Sequence, residues 1–293
     1  WAPVGQTVSV RLGDAVAATA AAVEGRWQVN LPPRPAGGPL EMLVECGGET
    51  VRYENVLVGD VWVCSGQSNM GFVLQNARDG EREVAEADWP EMRLLGVPQV
   101  TADTPQEDFE GRWEVCRPET ARDFSAVAYF FGRYLHRELD VPVGLVDTSW
   151  GGTPAESWVP HEALEDDPEL ETVLLRWDAV LARYPEAREQ HEALMEEYED
   201  AREKALREGR PEPPAPAEPQ GPGHQWQPAT LYNAMIHPLV PYGIRGATWY
   251  QGESNTGRAY EYRSLLKRLI RSWRERWDQG DFPFLVVQLA NFQ

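Results

Sequence analysis

Val61-Trp62-Val63-Cys64-Ser65-Gly66-Gln67-Ser68-Asn69-Met70 is an apolar run that opens into small polar residues. The first four residues carry no in–out alternation, which is the pattern of a strand buried on both faces of a parallel sheet. Similar compact runs lie at Met92-Arg93-Leu94-Leu95-Gly96-Val97, Pro142-Val143-Gly144-Leu145-Val146, Gly246-Ala247-Thr248-Trp249-Tyr250 and Phe284-Leu285-Val286-Val287. Between them, Phe124, Val127, Ala128, Phe131 and Leu135 recur at helical spacing, and Tyr260 to Trp277 reads as a long amphipathic helix. Strands alternating with helices predict an α/β fold, a parallel sheet covered by helices on both faces. Its functional site belongs where strand C-termini open into loops.

The flanks of this pattern differ from it. Val8-Ser9-Val10-Arg11-Leu12 and Trp27-Gln28-Val29-Asn30-Leu31 alternate, and a Pro/Gly cluster at 32–39 separates them from Leu40-Glu41-Met42-Leu43-Val44. This predicts a small β-sandwich-like module over 1–57, followed by the α/β domain over 58–293. An insertion at about 161–227 breaks the rhythm. Leu170, Val173, Leu174, Trp177, Leu181 and Tyr184 make one helical stripe, and Ala187, His191, Leu194, Met195, Tyr198, Ala201 and Ala205 make another. Pro185 marks the expected break between them. Pro211, Pro213, Pro214, Pro216, Pro219 and Pro222 then favour an extended, stiff connector. The expectation is a helical hairpin with a return strap, serving as a solvated surface, a lid or a dimer contact.

Composition narrows the function. The 293 residues hold 27 Lys+Arg against 47 Asp+Glu, a net charge of −20. That balance argues against nucleic acid and against an anionic membrane surface, both of which need a basic face. No apolar run reaches the roughly 18 residues that a membrane-crossing helix requires. Residues 161–220 hold 18 Asp+Glu and 7 Lys+Arg, so 11 of the 20 net negative charges belong to the insertion. Cys46, Cys64 and Cys116 are too few and too scattered for a disulfide framework, and no His or Cys pair has ligand spacing. No metal and no cofactor are expected. Twelve Trp and ten Tyr favour a ligand with flat apolar faces, such as a sugar.

Three motifs sit at predicted strand ends. In Ser65-Gly66-Gln67-Ser68-Asn69-Met70 a serine at a strand-to-helix turn can act as nucleophile beside backbone N–H groups, or be an ordinary turn residue. Met70 departs from the G-x-S-x-G elbow. In Ser149-Trp150-Gly151-Gly152-Thr153-Pro154-Ala155-Glu156 the Gly pair either lets backbone approach a ligand or makes a tight turn. In Trp249-Tyr250-Gln251-Gly252-Glu253-Ser254-Asn255 an amide of Gln251 or Asn255 can donate to a developing oxyanion without competing for the nucleophile's proton, or simply cap the next helix.

At these residues the chain resembles the sialate O-acetylesterases and related carbohydrate acetylesterases of the SGNH-hydrolase superfamily. The likeness runs through Gly59-Asp60-Val61-Trp62-Val63-Cys64-Ser65-Gly66-Gln67-Ser68-Asn69-Met70 and Phe124-Ser125-Ala126-Val127-Ala128-Tyr129-Phe130-Phe131-Gly132-Arg133. It continues in Trp150-Gly151-Gly152-Thr153, Leu231-Tyr232-Asn233-Ala234-Met235-Ile236 and Trp249 to Asn255. The resemblance implies a flavodoxin-like sheet and an acetylated carbohydrate, sialic acid or a related sugar, as substrate. It implies Ser68 as the nucleophile, with an oxyanion hole from the N–H of Ser68, Gly152 or Gly151, and Gln251 in preference to Asn255. Gln67, Asn69 and Glu253 would line the site. It also implies a periplasmic or secreted location.

The family's catalytic base comes from a late Asp-x-x-His segment. Arg133, Trp158, Arg188, Gly221 and Ala234 stand three residues before His136, His161, His191, His224 and His237, and none is Asp. His136 falls on a buried-helix pattern and reads as structural; His237 is a weak substitute base. The expectation is a chain cut at both ends, with the dyad beyond Gln293 and this piece nearly inert. Two other readings stay open: a carbohydrate-binding or scaffold protein that keeps the fold without catalysis, and an acetylxylan-type esterase.

Overall fold

The computed structural model describes residues 1–290. Strands β1 (Thr7–Leu12), β2 (Ala15–Ala20), β3 (Gly37–Cys46) and β4 (Glu49–Val58) form an antiparallel sheet in the order β2-β1-β3-β4. Val8, Val10 and Leu12 stand opposite Cys46, Val44 and Met42, so the apolar residues of β1 and β3 share one face. The strand expected over Trp27–Leu31 does not form. Its alternation is present, but Pro32, Pro33 and Pro35 follow at once, and both sides of β1 and of β3 are already paired.

A second sheet begins two residues beyond β4. Strands β5 (Asp60–Gly66), β6 (Trp89–Gly96), β7 (Glu114–Cys116), β8 (Val143–Asp147), β9 (Gly246–Tyr250) and β10 (Phe284–Val286) lie in the order β10-β9-β5-β8-β6-β7. Helices α1 (Gly80–Ala85), α2 (Pro118–Ala121), α3 (Ala126–Leu139), α4 (His161–Glu165), α5 (Glu171–Arg207) and α6 (Ala259–Trp277) alternate with the strands. The result is the expected α/β architecture, a largely parallel sheet flanked by helices. All five apolar runs became strands. The short β7, antiparallel to β6, carries too little pattern to be foreseen. Because β8 and β9 flank β5, the three motif-bearing strand ends are neighbours.

By contacts the chain divides into two compact units: Trp1–Trp62 with Val73–Leu95 and Trp113–Leu145, and Val63–Phe72 with Gly96–Arg112 and Val146–Gln293. Within the first, α3 starts at Ser125, whose hydroxyl accepts the Ala128 N–H at 3.1 Å. Phe131 of α3 then meets the Trp62 ring edge-on at 5.0 Å. Within the second, Trp158, Trp249, Trp273 and Trp277 are buried in an unbroken series, with successive centroids 6.1, 6.1 and 5.9 Å apart. Such aromatic pairs add about 0.5–1.5 kcal/mol each beyond the area they bury. Their indole N–H groups donate to Trp158 O from Trp273, to Tyr262 Oη from Trp249, and to Tyr242 O from Trp277.

The insertion differs from its expectation. It is one 37-residue helix, α5, running straight through Pro185, rather than a hairpin. Proline deprives the Leu181 carbonyl of its helical donor. In an exposed helix water replaces that donor, and the Ala-, Glu- and Arg-rich turns on either side favour continuation. Only Val173 and Ala205 of α5 are buried. The proline-rich strap returns against the helix instead: Arg202 pairs with Glu212 at 2.7 Å, and Gly221 lies so close to Tyr184 that a Cβ would fall 2.1 Å from its ring.

Candidate active site

Ser68 sits on the turn that follows β5, exposed, while Ser65 and Gln67 beside it are buried. The turn depends on Gly66. A Cβ there would lie 2.1 Å from the Tyr250 carbonyl oxygen, and its φ of +143° suits only glycine. That close approach lets Gln67 N–H donate to Tyr250 O and Trp150 N–H donate to Gly66 O, each at 3.0 Å. The ends of β9 and β8 are thereby pinned to the serine turn. Gly151 stands against Ser68, since a Cβ on it would be 3.4 Å from Ser68 Cβ. Gly152 holds a φ of +74°, which turns the chain there.

The third motif is tied to the first by side-chain amides, one buried and one exposed. Gln67 Oε1 accepts from the N–H groups of Gly252 and Ser254 at 3.3 and 3.4 Å. Asn69 Nδ2 donates to Glu253 Oε1. Gln251, 2% exposed, donates from Nε2 to Thr153 O at 3.1 Å and to Asn255 Oδ1 at 2.7 Å. Its own oxygen is buried without a partner among the described residues. Asn255 Oδ1 also accepts the Ala155 N–H at 2.9 Å, and its Nδ2 donates to Glu156 Oε2 at 2.8 Å. The structure thus brings Ser68, Gly151, Gln67, Asn69, Gln251, Glu253 and Asn255 into one set of interlocked loops, with Gly152 in the same turn.

Behind the amides lies an ionic cluster that sequence reasoning missed. Glu156 Oε1 accepts from Arg258 Nη2 at 2.6 Å and has Arg176 Nη2 at 3.7 Å. Arg176 and Arg258 also pair with Glu261, at 2.7 and 3.1 Å. Burial works to raise the Glu261 carboxyl, but the hydrogen bond and charge of Arg176, with help from Thr172 and Arg258, hold it below its ordinary value. A carboxylate set between Ala155 and Ser157-Trp158 was the available signal for Glu156. Arg258 gave no signal of its tie to Glu156, which lies 102 residues away.

Other groups take bounded roles. Burial pushes the Cys64 thiol up to about 12, against a hydrogen bond with Thr248, so it is not a thiolate nucleophile. Burial pushes the Asp147 carboxyl up to about 6, opposed by hydrogen bonds from the Ser149 side chain and N–H. His237 Nδ1 is 2.9 Å from Gln106 O, His136 Nδ1 is 2.7 Å from Val141 O, and His224 Nδ1 accepts from Trp226 N–H at 3.0 Å. His161 faces Glu165, and His191 lies on α5. None is hydrogen-bonded to Ser68 among the described residues. No group of three or more His, Cys, Asp or Glu among them is placed to hold a metal ion. No helix among them is long and apolar enough to cross a membrane.

Fold and loops together define an α/β protein with an exposed serine and a buried amide set at adjoining strand ends. Residues 221–293 match the family "Carbohydrate esterase, sialic acid-specific acetylesterase". The sialate O-acetylesterase of Rattus norvegicus is 33% identical over 287 residues, spanning 91% of this chain and 50% of that protein. That of Homo sapiens is 31% identical over 286 residues, spanning 90% and 47%. A carbohydrate acetylesterase from Xanthomonas citri superposes with a TM-score of 0.75 at 32% identity, over 99% of this chain and 55% of that one. The chain is similar to members of this carbohydrate esterase family over most of its own length, and it spans about half the length of the curated relatives it matches.

Proposed function

We propose that the protein is a serine esterase that removes O-acetyl groups from a carbohydrate through an acyl-enzyme. The observation that carries this reading is the exposed Ser68 against Gly151 at the end of β5, with the Gln251 amide buried beside the same turn. Ser68 Oγ attacks the acetyl carbonyl and gives its proton to a base. The oxyanion rests on the N–H of Ser68, the N–H of Gly152 and one N–H of Gln251. That third donor is the N–H now on Thr153 O, the longer of the two Gln251 bonds. The sugar oxygen leaves with the proton. Water then cleaves the acyl-enzyme to acetate and regenerates Ser68.

The base is placed outside residues 1–293, as a histidine oriented by an aspartate. Two facts support this: the chain spans half of its relatives, and His136, His224 and His237 bond to groups other than Ser68. The full-length protein is expected to hydrolyse p-nitrophenyl acetate and the 293-residue piece to be nearly inert. Equal turnover by the piece refutes this placement of the base. Acetate release from O-acetylated sialic acid and from acetylated xylan, measured side by side, decides the sugar. The relatives' names favour the first, while the charge of −20 offers no long-range attraction for an anionic sialoside.

A further inference from the structure

We propose that Glu156 is a positioning residue of the reaction, setting through Asn255 which end of the Gln251 amide faces the oxyanion. The inference rests on the esterase reading of Ser68 and Gln251. Its observation is a polarity chain among buried groups, in which Glu156, Asn255 and Gln251 are 5%, 2% and 2% exposed. An ionised carboxylate only accepts hydrogen bonds. Glu156 therefore requires the nitrogen of Asn255 on its Oε2, and Arg258 satisfies its Oε1. With its nitrogen committed, Asn255 presents its oxygen on the opposite side, where it accepts from both Ala155 N–H and Gln251 Nε2. Gln251 is then obliged to point nitrogen, not oxygen, along the path from Asn255 to Thr153.

The orientation matters because an amide presents opposite partial charges at its two ends. Turned over, Gln251 would offer its oxygen to a developing negative charge, and a donor would become a repulsion. Nothing in Gln251 itself prevents the turn, since oxygen and nitrogen have nearly the same shape. The asymmetry comes from its surroundings: the Thr153 carbonyl only accepts, the Ala155 N–H only donates, and the carboxylate adds the charged, accept-only partner that commits the Asn255 nitrogen. Arg258 and Arg176 offset the cost of burying that carboxylate by neutralising it. Because Ala155 N–H binds the same Asn255 oxygen, the chain also holds the loop that carries Gly151 and Gly152.

The test reverses the polarity and then restores it. In Glu156→Gln the new amide has one accepting end and one donating end, so its nitrogen faces either Arg258 or the Asn255 nitrogen. In Asn255→Asp a second carboxylate faces Glu156. In the reciprocal pair E156Q/N255D every contact is satisfied again: the amide at 156 donates to the carboxylate at 255 and accepts from Arg258, and the carboxylate still accepts from Ala155 and Gln251. In the full-length protein each single change is expected to lower kcat on p-nitrophenyl acetate on the order of 10- to 100-fold with KM little changed, and the pair to recover most of it. Hydrogen exchange of the Ala155 amide is expected to speed up in each single variant and to slow again in the pair. Wild-type kcat in the single variants, a pair no better than either, or unchanged Ala155 exchange overturns the proposal. If Ser68→Ala keeps wild-type turnover, the esterase reading falls instead, and the exchange rates still decide the polarity chain. Should Glu156→Gln not fold, Asn255→Asp measured against the pair separates the same outcomes.

Discussion

Glu156 and Glu192 are the same side chain in opposite circumstances. Glu192 stands on α5, 63% exposed, one turn from Arg188, which is 64% exposed. A pair like that is worth at most about 0.5 kcal/mol and fades with salt. The Glu156 side chain is 7% exposed, with Arg258 at 2.6 Å and Asn255 at 2.8 Å. Little of it reaches solvent, so its neighbours must turn donors toward it. The difference teaches that charge count is a poor guide to charge function in this protein. Most of its net negative charge coats an excursion that needs only to stay solvated, while one enclosed carboxylate organises the loops.

The contrast is sharpened most by Ser68→Ala, which should reduce full-length ester hydrolysis on the order of 10⁶-fold, read by steady-state kinetics. Gln251→Ala comes next, with an expected loss of about 100- to 1000-fold in kcat, the cost of one oxyanion donor. Asp147→Asn tests the buried side through pH. The carboxyl, raised from 3.8 to about 6, binds its proton more tightly in the folded state than in the unfolded chain. Stability is therefore highest below the lower value and falls as pH rises through the window between the two. The amide keeps an oxygen for the Ser149 N–H and removes that slope. Thermal melts should show Asp147→Asn above wild type at pH 7 and level with it near pH 4. Pro185→Ala probes the exposed region and should leave turnover unchanged. It should strengthen α5 locally by up to about 3 kcal/mol, seen as slower amide exchange around Leu181. A drop in turnover from that change would break the separation between the two regions.

Much of this was legible in the amino acids. Val61 to Cys64 and its four companion runs announced a parallel sheet because strands covered on both faces need unbroken apolar sequence. Ser68, the Gly151-Gly152 pair and Gln251 were visible because each follows such a run directly. What stayed hidden depends on distance or on competition. Glu156 looks like any surface acid until Asn255, 99 residues later, folds onto it. Trp27 to Leu31 alternates as a strand should, yet the prolines that follow it and the pairing of β1 and β3 on both sides leave it outside the sheet. Pro185 reads as a break because its local penalty is plain, whereas the compensation by the turns around it is spread over many weak preferences.

The four neighbouring buried tryptophans have an optical consequence. Rings about 6 Å apart are close enough for their excitations to couple, so Trp158, Trp249, Trp273 and Trp277 are expected to behave as an interacting set of chromophores. Their circular dichroism is expected to carry the signature of that coupling and to lose it when the packing loosens. Trp249 lies two residues before Gln251, at the root of the amide loop. The molecule thus contains its own reporter of whether the ground beneath the serine turn is in order, readable with light and without any substrate.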